Sequence, residues 1–526
     1  MVGFFERLLR MALALDLDLG RRGLAGDRGI SMATVRAFIR LAINGEILDI
    51  SGPDCFMMLA DYLRKRLYLT GTKIVCAEGD CGACTILRAF QPPGGSDAPK
   101  FVSVNSCITM MVQLDGCHIV TIEALADRGT LSMVQQAMVD HHGSQCGYCT
   151  PGIAMSLTGM FEACKAPPDV QTIKNNLTGN LCRCTGYSPI IEAAAAVEHS
   201  TYERLADRFL TTELVAALQE SAAIPIAIHT DFGQIFAPVT LAAMSSLRQK
   251  WPTATILSSG TDLGVQYNKG LRPLGDLISL HLLADLYKFK VTSDHMEIGA
   301  RVTLEELRQL CLPYVPEFSD LLNVFASPQI KHIATLAGNI ANASPIGDTL
   351  PFLLVSDATV NLRQKGQQRT IPLKDFFIGY RKTALFSGEF IESVQILLPK
   401  AGEVLRLYKA CTRKDLDISA VSAAFLLSFK ENVSGAGPQI NKVRLALGGV
   451  AAVPLRLLQV EEWLTGKPWT DAVQRAALEQ IQVAIHPLTD VRGSGAYRRL
   501  LVTHFFRQFC LEVTRQGGAD DAASHP

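Results

Sequence analysis

Eight of the fourteen cysteines are crowded into two sets in the first third of the chain, and this pattern constrains the fold more than any other feature. The first set is Cys76, Cys81, Cys84 and Cys107, and the second is Cys146, Cys149, Cys182 and Cys184. We expect no export signal, because Glu6, Arg7 and Arg10 interrupt the apolar stretch near the start. In the reducing compartment that this indicates, thiols at fixed spacing favour metal binding over disulfides.

The first set has the spacing C-x4-C-x2-C with a fourth cysteine downstream, which is the spacing of plant-type [2Fe–2S] ferredoxins. Gly79 and Gly82 let the backbone wrap tightly, so that N–H groups can face the sulfurs. The alternative is zinc held by four cysteines, which more often has paired C-x2-C knuckles. We therefore predict a [2Fe–2S] cluster at the first set.

The second set combines a C-x2-C pair with a C-x-C pair, and the latter is too short for an ordinary zinc knuckle. Each pair stands just before a predicted helix start, with Thr150 and Ser188 as N-caps followed by proline. Helix dipoles and free N–H groups there favour thiolate. Taken alone, the set also suits zinc, but beside a ferredoxin-type loop it predicts a second [2Fe–2S] cluster. We expect the other six cysteines to be buried thiols without a role.

Composition excludes several classes of partner. Lys plus Arg equals Asp plus Glu at 50 each, so no basic field indicates nucleic acid. No apolar run approaches the roughly 20 residues of a membrane span. Hydrophobic residues make up 48% of the chain, which is enough for several cores. Because we expect neither an export signal nor a membrane span, we expect a cytoplasmic protein.

Local patterns predict how the first 200 residues fold. Residues 34–50 alternate around the turn signal Asn44–Gly45, which indicates a β-hairpin. A helix is predicted over 55–71, ending on Gly71. Strand-like segments follow to about residue 120, and four helical segments follow in 121–200.

Two later stretches are candidates for binding a pyrophosphate through backbone N–H groups. "ILSSGTDLGVQ" (256–266) is a strand that runs into a turn of small residues, and "FASPQIKHIATLAGNIANASPIGDTLP" (325–351) gathers small and amide residues. No G-x-G-x-x-G follows a strand, so a Rossmann site is not supported. From composition alone, plain turns are an equally good interpretation of both stretches.

The order of motifs along the chain resembles the xanthine dehydrogenase family of molybdenum hydroxylases, and within it the bacterial small subunit with two [2Fe–2S] clusters and FAD. The motifs are the two cysteine sets, "GTDL" (260–263), "TLAGNIANASPIGD" (335–348), "GYRKT" (379–383) and "YKACTRKDLDIS" (408–419). The resemblance covers residues 34 to 515 and leaves out the stretch before Met32. We expect this stretch to be a flexible or helical extension, or the result of a start codon placed upstream of a true start at Met32.

The resemblance implies a multidomain α+β fold. Its parts are a β-grasp ferredoxin-like domain, a four-helix [2Fe–2S] bundle, an α+β FAD-binding domain and an α+β C-terminal flavoprotein domain. The predicted boundaries are an N-terminal extension at 1–33, these domains at 34–120, 121–200, 231–403 and 404–516, a linker at 201–230 and a flexible tail at 517–526.

The resemblance also implies which residues hold the cofactors. Each cysteine set would ligate one cluster. For FAD, the implied contacts are Leu257, Ser258, Ser259, Gly260, Thr261, Asp262, Leu263 and Gly264 in a first loop, Thr335, Leu336, Ala337, Gly338 and Asn339 in a second, and Phe325, Asp348, Tyr380, Ile391 and Lys409 elsewhere. Ala337 departs from the double glycine that is common in the family.

Finally, the resemblance implies an electron-relay subunit with no catalytic residue of its own. Electrons from molybdopterin-bound molybdenum in a large partner subunit would pass through the second set's cluster, the first set's cluster and FAD to NAD, during oxidation of hypoxanthine and xanthine to urate. The two subunits would form a heterodimer that pairs into a heterotetramer. The alternatives are the same relay for an aldehyde or N-heterocycle, or a stand-alone NADH-oxidising iron–sulfur flavoprotein or redox sensor.

Overall fold

The computed structural model describes residues 35–523 except Ser96 and residues 431–437, and it describes side chains as far as residue 515. The extension predicted at 1–33 lies outside the described residues. From Arg36 onward the described residues belong to one unit, and its parts are taken in chain order.

The first part is a mixed five-stranded sheet with the order β2-β1-β5-β3-β4. Its strands are β1 Phe38–Ile43, β2 Glu46–Ser51, β3 Thr85–Phe90, β4 Val102–Asn105 and β5 Cys117–Val120. β1 runs parallel to β5, whereas the other pairs are antiparallel. The predicted hairpin is present, since β1 and β2 pair around Asn44 and Gly45, which both have positive φ.

One helix, Leu59–Lys65, packs on this sheet through Leu59, Tyr62 and Leu63. The predicted helix end at Gly71 is wrong. The chain leaves the helix after Lys65, and Tyr68 adopts the left-handed conformation that a helix does not continue through.

The second part is the predicted bundle of four helices, Met133–Asp140, Thr150–Ala163, Val170–Leu177 and Ser188–Ala196. Helix Thr150–Ala163 is central and packs against β3 and β4 of the first sheet. The N-caps differ by one residue from the prediction, because Cys149 and Tyr187 occupy them and Thr150 and Ser188 are already helical.

The predicted linker at 201–230 is folded. It contains helices Leu205–Phe209 and Thr212–Ala222 and the whole of strand β6, Ile226–Thr230. Leu205 and Phe209 join the core of the helical bundle, and Ala222 joins the core of the first sheet. The segment was predicted to be a linker because many of its residues are polar, but a few apolar side chains are enough to pack it into the two cores.

The third part contains two sheets. A four-stranded sheet has the order β6-β7-β9-β8, with β7 Gly233–Ala237, β8 Thr255–Leu257 and β9 Leu277–Ser279. A five-stranded sheet has the order β10-β11-β16-β12-β13, with β10 Phe289–Val291, β11 His295–Gly299, β12 Thr359–Gln364, β13 Gln367–Pro372 and β16 Phe390–Leu397. β14 Phe377–Gly379 and β15 Lys382–Thr383 form a separate hairpin.

Seven helices accompany these sheets in the described residues: Leu241–Lys250, Thr261–Asn268, Leu304–Cys311, Pro316–Val324, Pro328–Lys331, Leu336–Asn342 and Thr349–Val355. β8 and β9 are parallel, and the chain leaves the carboxyl end of β8 directly into helix Thr261–Asn268. This strand–turn–helix unit carries the first predicted flavin loop.

The last part is an antiparallel sheet of β17 Val404–Ala410, β18 Val421–Phe429, β19 Ile440–Gly448 and β20 Leu455–Arg456. It is covered by helices Leu458–Leu464, Asp471–Ala484 and Gly495–Ala523. The final helix continues to Ala523, so most of the predicted flexible tail is helical. Among the helices of the described residues, none has the length and apolar character needed to cross a membrane.

Candidate iron–sulfur and flavin sites

The first cysteine set lies on a loop between helix Leu59–Lys65 and β3, with Cys107 in a short 3-10 turn after β4. Cys84 and Cys107 are buried, and Cys76 and Cys81 are half-buried. The backbone N–H of Glu78 donates to Cys76 Sγ at 3.5 Å, and Asn105 Nδ2 holds the loop through Gly79 O at 2.7 Å. The loop therefore turns donors toward sulfur, as was expected of a cluster loop.

The four thiols of this set contact one another. Hydrogen bonds with Cys107 and then Cys81 lower the pKa of the Cys76 thiol, whereas those with Cys76 and Cys84 raise the pKa of Cys107. The pKa of Cys84 is also lowered, first by its hydrogen bond with Cys107, so these contacts favour the thiolate at two of the four cysteines. Because the thiolate is the metal-binding form, the set is chemically suited to bind iron.

The second set lies at the starts of two helices in the bundle. Cys146 and Cys184 are exposed, and Cys149 and Cys182 are half-buried. A hydrogen bond from the backbone of Tyr148 and one with Cys184 lower the pKa of Cys146. Burial, followed by contact with Cys182, raises the pKa of Cys149 to about 12. Each cysteine of the C-x2-C pair therefore meets one cysteine of the C-x-C pair.

This pairing bears on what the sets can bind. The thiols of the second set meet two by two, Cys146 with Cys184 and Cys149 with Cys182. A [2Fe–2S] cluster takes two thiolates on each iron, so paired thiols fit a cluster better than they fit zinc.

The two cysteine loops contact each other through a main-chain hydrogen bond and a side-chain one. Leu181 N–H donates to Cys81 O at 2.9 Å, and Asn180 Nδ2 donates to Gly82 O at 3.2 Å. Gly82 has φ of +68°, and a Cβ on it would lie 2.1 Å from Gly179 O. Only a glycine allows this approach, so the close contact between the two sets is built into the sequence.

The first predicted flavin loop is a tight turn from β8 into helix Thr261–Asn268. Gly260 has φ of +70°, and Ser259 and Gly260 are buried. The first hydrogen bond of this helix runs from Gly264 N–H to Gly260 O at 2.6 Å, which leaves the preceding N–H groups for another acceptor. Asp262 accepts a hydrogen bond from Gln266.

The second predicted loop lies directly against the first. Ser258 Oγ is 3.2 Å from Thr335 Oγ1, and Thr335 caps helix Leu336–Asn342 by accepting from Gly338 N–H at 3.1 Å. Arg301 donates to Ser258 O, which fixes the start of the first loop. Leu336 and Ala337 are buried in the core, so Ala337 fills the position where the family often has glycine.

Asp348 and Lys409 form a buried ion pair that joins the third and fourth parts of the chain. Lys409 Nζ is 2.5 Å from Asp348 Oδ2, and Ser419 Oγ donates to Asp348 Oδ1 at 2.5 Å. Burial raises the pKa of Asp348, and the Lys409 charge opposes this shift. The next residue, Thr349, donates through Oγ1 to Asn339 Oδ1 of the second loop at 2.7 Å, which connects this loop to the ion pair.

The three remaining flavin candidates lie in different surroundings. Ile391 is buried on β16 beside Phe390, and Phe325 is half-buried at the end of helix Pro316–Val324. Tyr380 lies in the turn between β14 and β15 with 62% of its side chain exposed. The structure thus brings the two loops and the Asp348–Lys409 pair together, and it leaves Tyr380 at the surface.

Sequence reasoning missed the residue that connects the flavin loop to the first cysteine set. Asn268, the last residue of helix Thr261–Asn268, donates through Nδ2 to Cys107 O at 2.7 Å and to Ala77 O at 2.9 Å. Gly264 of the same helix packs against the backbone of Ile108, where a Cβ would come within 2.6 Å of Ile108 O. An asparagine at a helix end carries no pattern that could have revealed this role.

A cavity of about 480 Å³ opens between the first cysteine loop and the last part of the chain. Its lining includes Asp80, Arg413, Asp417, Arg492 and Tyr497, and Arg413 lies 3.8 Å from Asp80. Its volume is within the range of small-molecule sites. It borders the strand segment that bears Lys409.

Family models match three parts of the chain. The FAD binding domain in molybdopterin dehydrogenase matches residues 230–400, and a [2Fe-2S] binding domain matches residues 121–195. The CO dehydrogenase flavoprotein C-terminal domain matches residues 406–513. These matches confirm the predicted multidomain α+β fold class.

Curated relatives agree with the family models. The chain is 30% identical to xanthine dehydrogenase of Emericella nidulans over 91% of its own length and 39% of that protein. It is 31% identical to xanthine dehydrogenase 1 of Arabidopsis thaliana over 87% of its own length and 38% of that protein. The chain thus spans about two fifths of the length of these relatives.

Among solved structures, the chain is similar to quinoline 2-oxidoreductase from Pseudomonas putida 86. The TM-score is 0.48, and the identity is 23% over 53% of this chain and 96% of that chain.

Proposed function

Since the chain belongs to the molybdenum hydroxylase family, in the part that carries its iron–sulfur and flavin domains, we propose that it is the electron-relay subunit of a xanthine dehydrogenase. Electrons from a partner molybdenum centre would pass through the two clusters and FAD to NAD as hypoxanthine or xanthine is oxidised to urate. The cofactors supply the redox chemistry, and the chain sets their spacing and surroundings.

One observation carries this proposal: the candidate sites form a continuous series of direct contacts. The second cysteine set meets the first through Leu181 N–H and Cys81 O, at 2.9 Å. The first set meets the flavin-loop helix through Asn268 and Cys107 O, at 2.7 Å. A protein that only stored iron or bound flavin would not need these sites in this order.

In this proposal the eight cysteines hold the clusters, four to each. The exposed position of Cys146 and Cys184 suits the set that faces a partner subunit, and the buried Cys84 and Cys107 suit the set that faces the flavin. The Glu78 N–H and the Tyr148 backbone would stabilise negative charge on Cys76 and Cys146.

For FAD, the proposal assigns the pyrophosphate to the two loops that meet at Ser258 and Thr335, since both present backbone N–H groups. The full set of proposed contacts is the eighteen residues that the family resemblance implies. Asp348 would accept a hydrogen bond from the cofactor once its pair with Lys409 fixes it in place. Phe325 and Tyr380 would border the nicotinamide face.

The partner would be a large molybdopterin-binding subunit, in a heterodimer that pairs into a heterotetramer in the cytoplasm. The test is to co-purify the chain with that subunit and assay hypoxanthine, xanthine, aldehydes and N-heterocycles with NAD as acceptor. We expect turnover of the purines. Turnover confined to an aldehyde or an N-heterocycle would contradict the purine assignment, and failure to isolate any molybdenum-containing complex would contradict the relay.

A further inference from the structure

A fully buried amide, Gln329, joins three parts of the chain. It lies on the short helix Pro328–Lys331, in the segment that leads to the second flavin loop. Its Nε2 donates to Asn180 Oδ1 at 2.8 Å and to Ser156 Oγ at 3.0 Å, both in the helical bundle. It also lies 3.3 Å from Thr85 Oγ1, at the start of β3.

These partners stand beside the cysteines. Asn180 precedes Cys182 by two residues and donates to Gly82 O of the first cysteine loop at 3.2 Å. Thr85 follows Cys84 directly. Ser156 completes the network by donating to Asn180 Oδ1 at 2.7 Å. One side chain therefore contacts segments that carry a cysteine of each set.

The other end of the amide is held by shape. Gln329 Oε1 lies so close to Gly179 that a Cβ there would come within 2.1 Å of it. Among the residues that the structure describes, no donor reaches this buried oxygen. A buried carbonyl without a donor is unfavourable, so a residue needed only for packing would be better served by an apolar side chain.

We propose that Gln329 is a positioning residue that fixes the separation and orientation of the two cysteine sets relative to each other. This inference rests on the proposed function, in which each set holds a [2Fe–2S] cluster. Gln329 touches no ligand itself and acts through Asn180 and Thr85. Small displacements of reacting groups have large effects on rate, so a fixed separation of the two sets favours transfer between them.

The test uses the full chain, reduced with dithionite and measured by low-temperature EPR. Two reduced clusters at short distance split each other's signals, and the splitting depends on their separation and orientation. The variant Gln329→Met keeps the side-chain length but removes the amide that contacts Asn180, Ser156 and Thr85. We expect wild-type iron content and FAD, with a changed splitting of both signals.

The matched control is Gln309→Met, since Gln309 is exposed on helix Leu304–Cys311 and bonds only to Glu305 of its own helix among the described residues. It should leave the splitting unchanged. Ser156→Ala, which removes one partner, should shift the splitting in the same direction as Gln329→Met but less, and it serves if Gln329→Met does not fold.

The EPR and stability measurements distinguish a failure of the proposed role of Gln329 from a failure of the proposed function. A lowered unfolding temperature with unchanged splitting in both variants would show that Gln329 is merely structural and would overturn the inference alone. Absence of two cluster signals from the wild-type chain would contradict the proposed function, and the inference with it.

Discussion

Each cysteine of the second set contacts a cysteine from the other helix start, so losing any one of the four disrupts both helix starts. We expect Cys184→Ser to remove one of two distinct reduced [2Fe–2S] EPR signals and to leave the other, because the first set lies on a separate loop. Iron should fall from about four to about two per chain, with two clusters each holding two irons.

The matched control is Cys164→Ser, in the same helical part but outside both sets. It should retain both signals and full iron. Stoichiometric zinc bound by the second set, found by metal analysis of the wild-type chain, would contradict the cluster assignment.

Asp348 carries a buried charge that, in the proposed function, holds the FAD site together. Replacing it with Asn leaves the Lys409 ammonium buried without a counter-charge, which costs about 3 kcal/mol in comparable pairs. We expect Asp348→Asn to lose FAD on gel filtration while both cluster signals persist.

Asp357→Asn is the comparison for this variant, since Asp357 also pairs with a buried arginine, Arg456, at 2.7 Å. Neither Asp357 nor Arg456 is among the proposed flavin contacts, so this variant should lose stability but keep FAD. Equal flavin loss in both variants would show that Asp348 acts only through stability.

At the scale of elements, the contact between the two cysteine loops depends on Gly82. Gly82→Ala meets two penalties, a left-handed backbone that costs a residue with a Cβ about 1–2 kcal/mol and a collision with Gly179 O. We expect a loss of iron from at least one set and a lower unfolding temperature.

Gly52→Ala isolates the backbone penalty. Gly52 has φ of +63°, close to that of Gly82, but a Cβ on it would meet nothing within 4 Å. This variant should lose about 1–2 kcal/mol of unfolding free energy and keep its iron. If the two variants lose equal stability and both keep iron, the close loop contact is dispensable.

His118 on β5 links the first sheet to the folded linker. Its Nε2 accepts from Gly45 N–H at 3.1 Å, and its ring packs edge-on against Phe101 and Phe209. Burial lowers its pKa to about 4, from an ordinary value of 6.5. The folded state therefore disfavours the charged form.

Because the pKa is lower in the folded state, the unfolded chain binds more protons between about pH 6.5 and pH 4, and stability is lost as the pH falls through that window. Between about pH 7 and pH 5 this group should remove about 2 kcal/mol of unfolding free energy. Denaturant titrations at pH 7 and pH 5 should show this loss of unfolding free energy in the wild type and not in His118→Asn. The variant of an exposed histidine, His229→Asn, should show the same loss as the wild type. Parallel pH profiles for all three would show that His118 is not the titrating group.

At the scale of the whole molecule, the predicted flavin loops lie in this chain, while the proposed molybdenum centre belongs to a partner. We expect the isolated chain to oxidise NADH with an artificial acceptor and to show no activity on xanthine. Turnover of xanthine by the isolated chain would contradict the two-subunit proposal, and absence of NADH oxidation in FAD-loaded protein would contradict the NAD assignment.

The sequence predicted what neighbouring residues determine. The hairpin at Asn44–Gly45 and the four helices of the bundle were predicted from local patterns, and the structure contains both. The helix end at Lys65 was missed because no glycine or proline marks it in the sequence. The left-handed residue that follows the helix is Tyr68, a residue type that seldom adopts this conformation.

Contacts between distant segments could not be predicted in this way. Asn268 and Ala77 are 191 residues apart, and Gln329 and Asn180 are 149 apart. Asn268 and Gln329 are both ordinary amides in short helices, and only the assembled fold shows what they contact. The Ser258–Thr335 contact was reachable only because the resemblance assigned both loops to one cofactor.

The hydrogen bond between Leu181 N–H and Cys81 O also has a consequence for how the sequence can change over generations. Both of its atoms belong to the main chain, so it is indifferent to which side chain occupies position 181. The side chain of Leu181 is 39% exposed and is free to drift through most amino acids without disturbing the junction. Proline alone lacks the N–H, so in a saturation library at this position proline should be the one substitution that breaks this hydrogen bond directly.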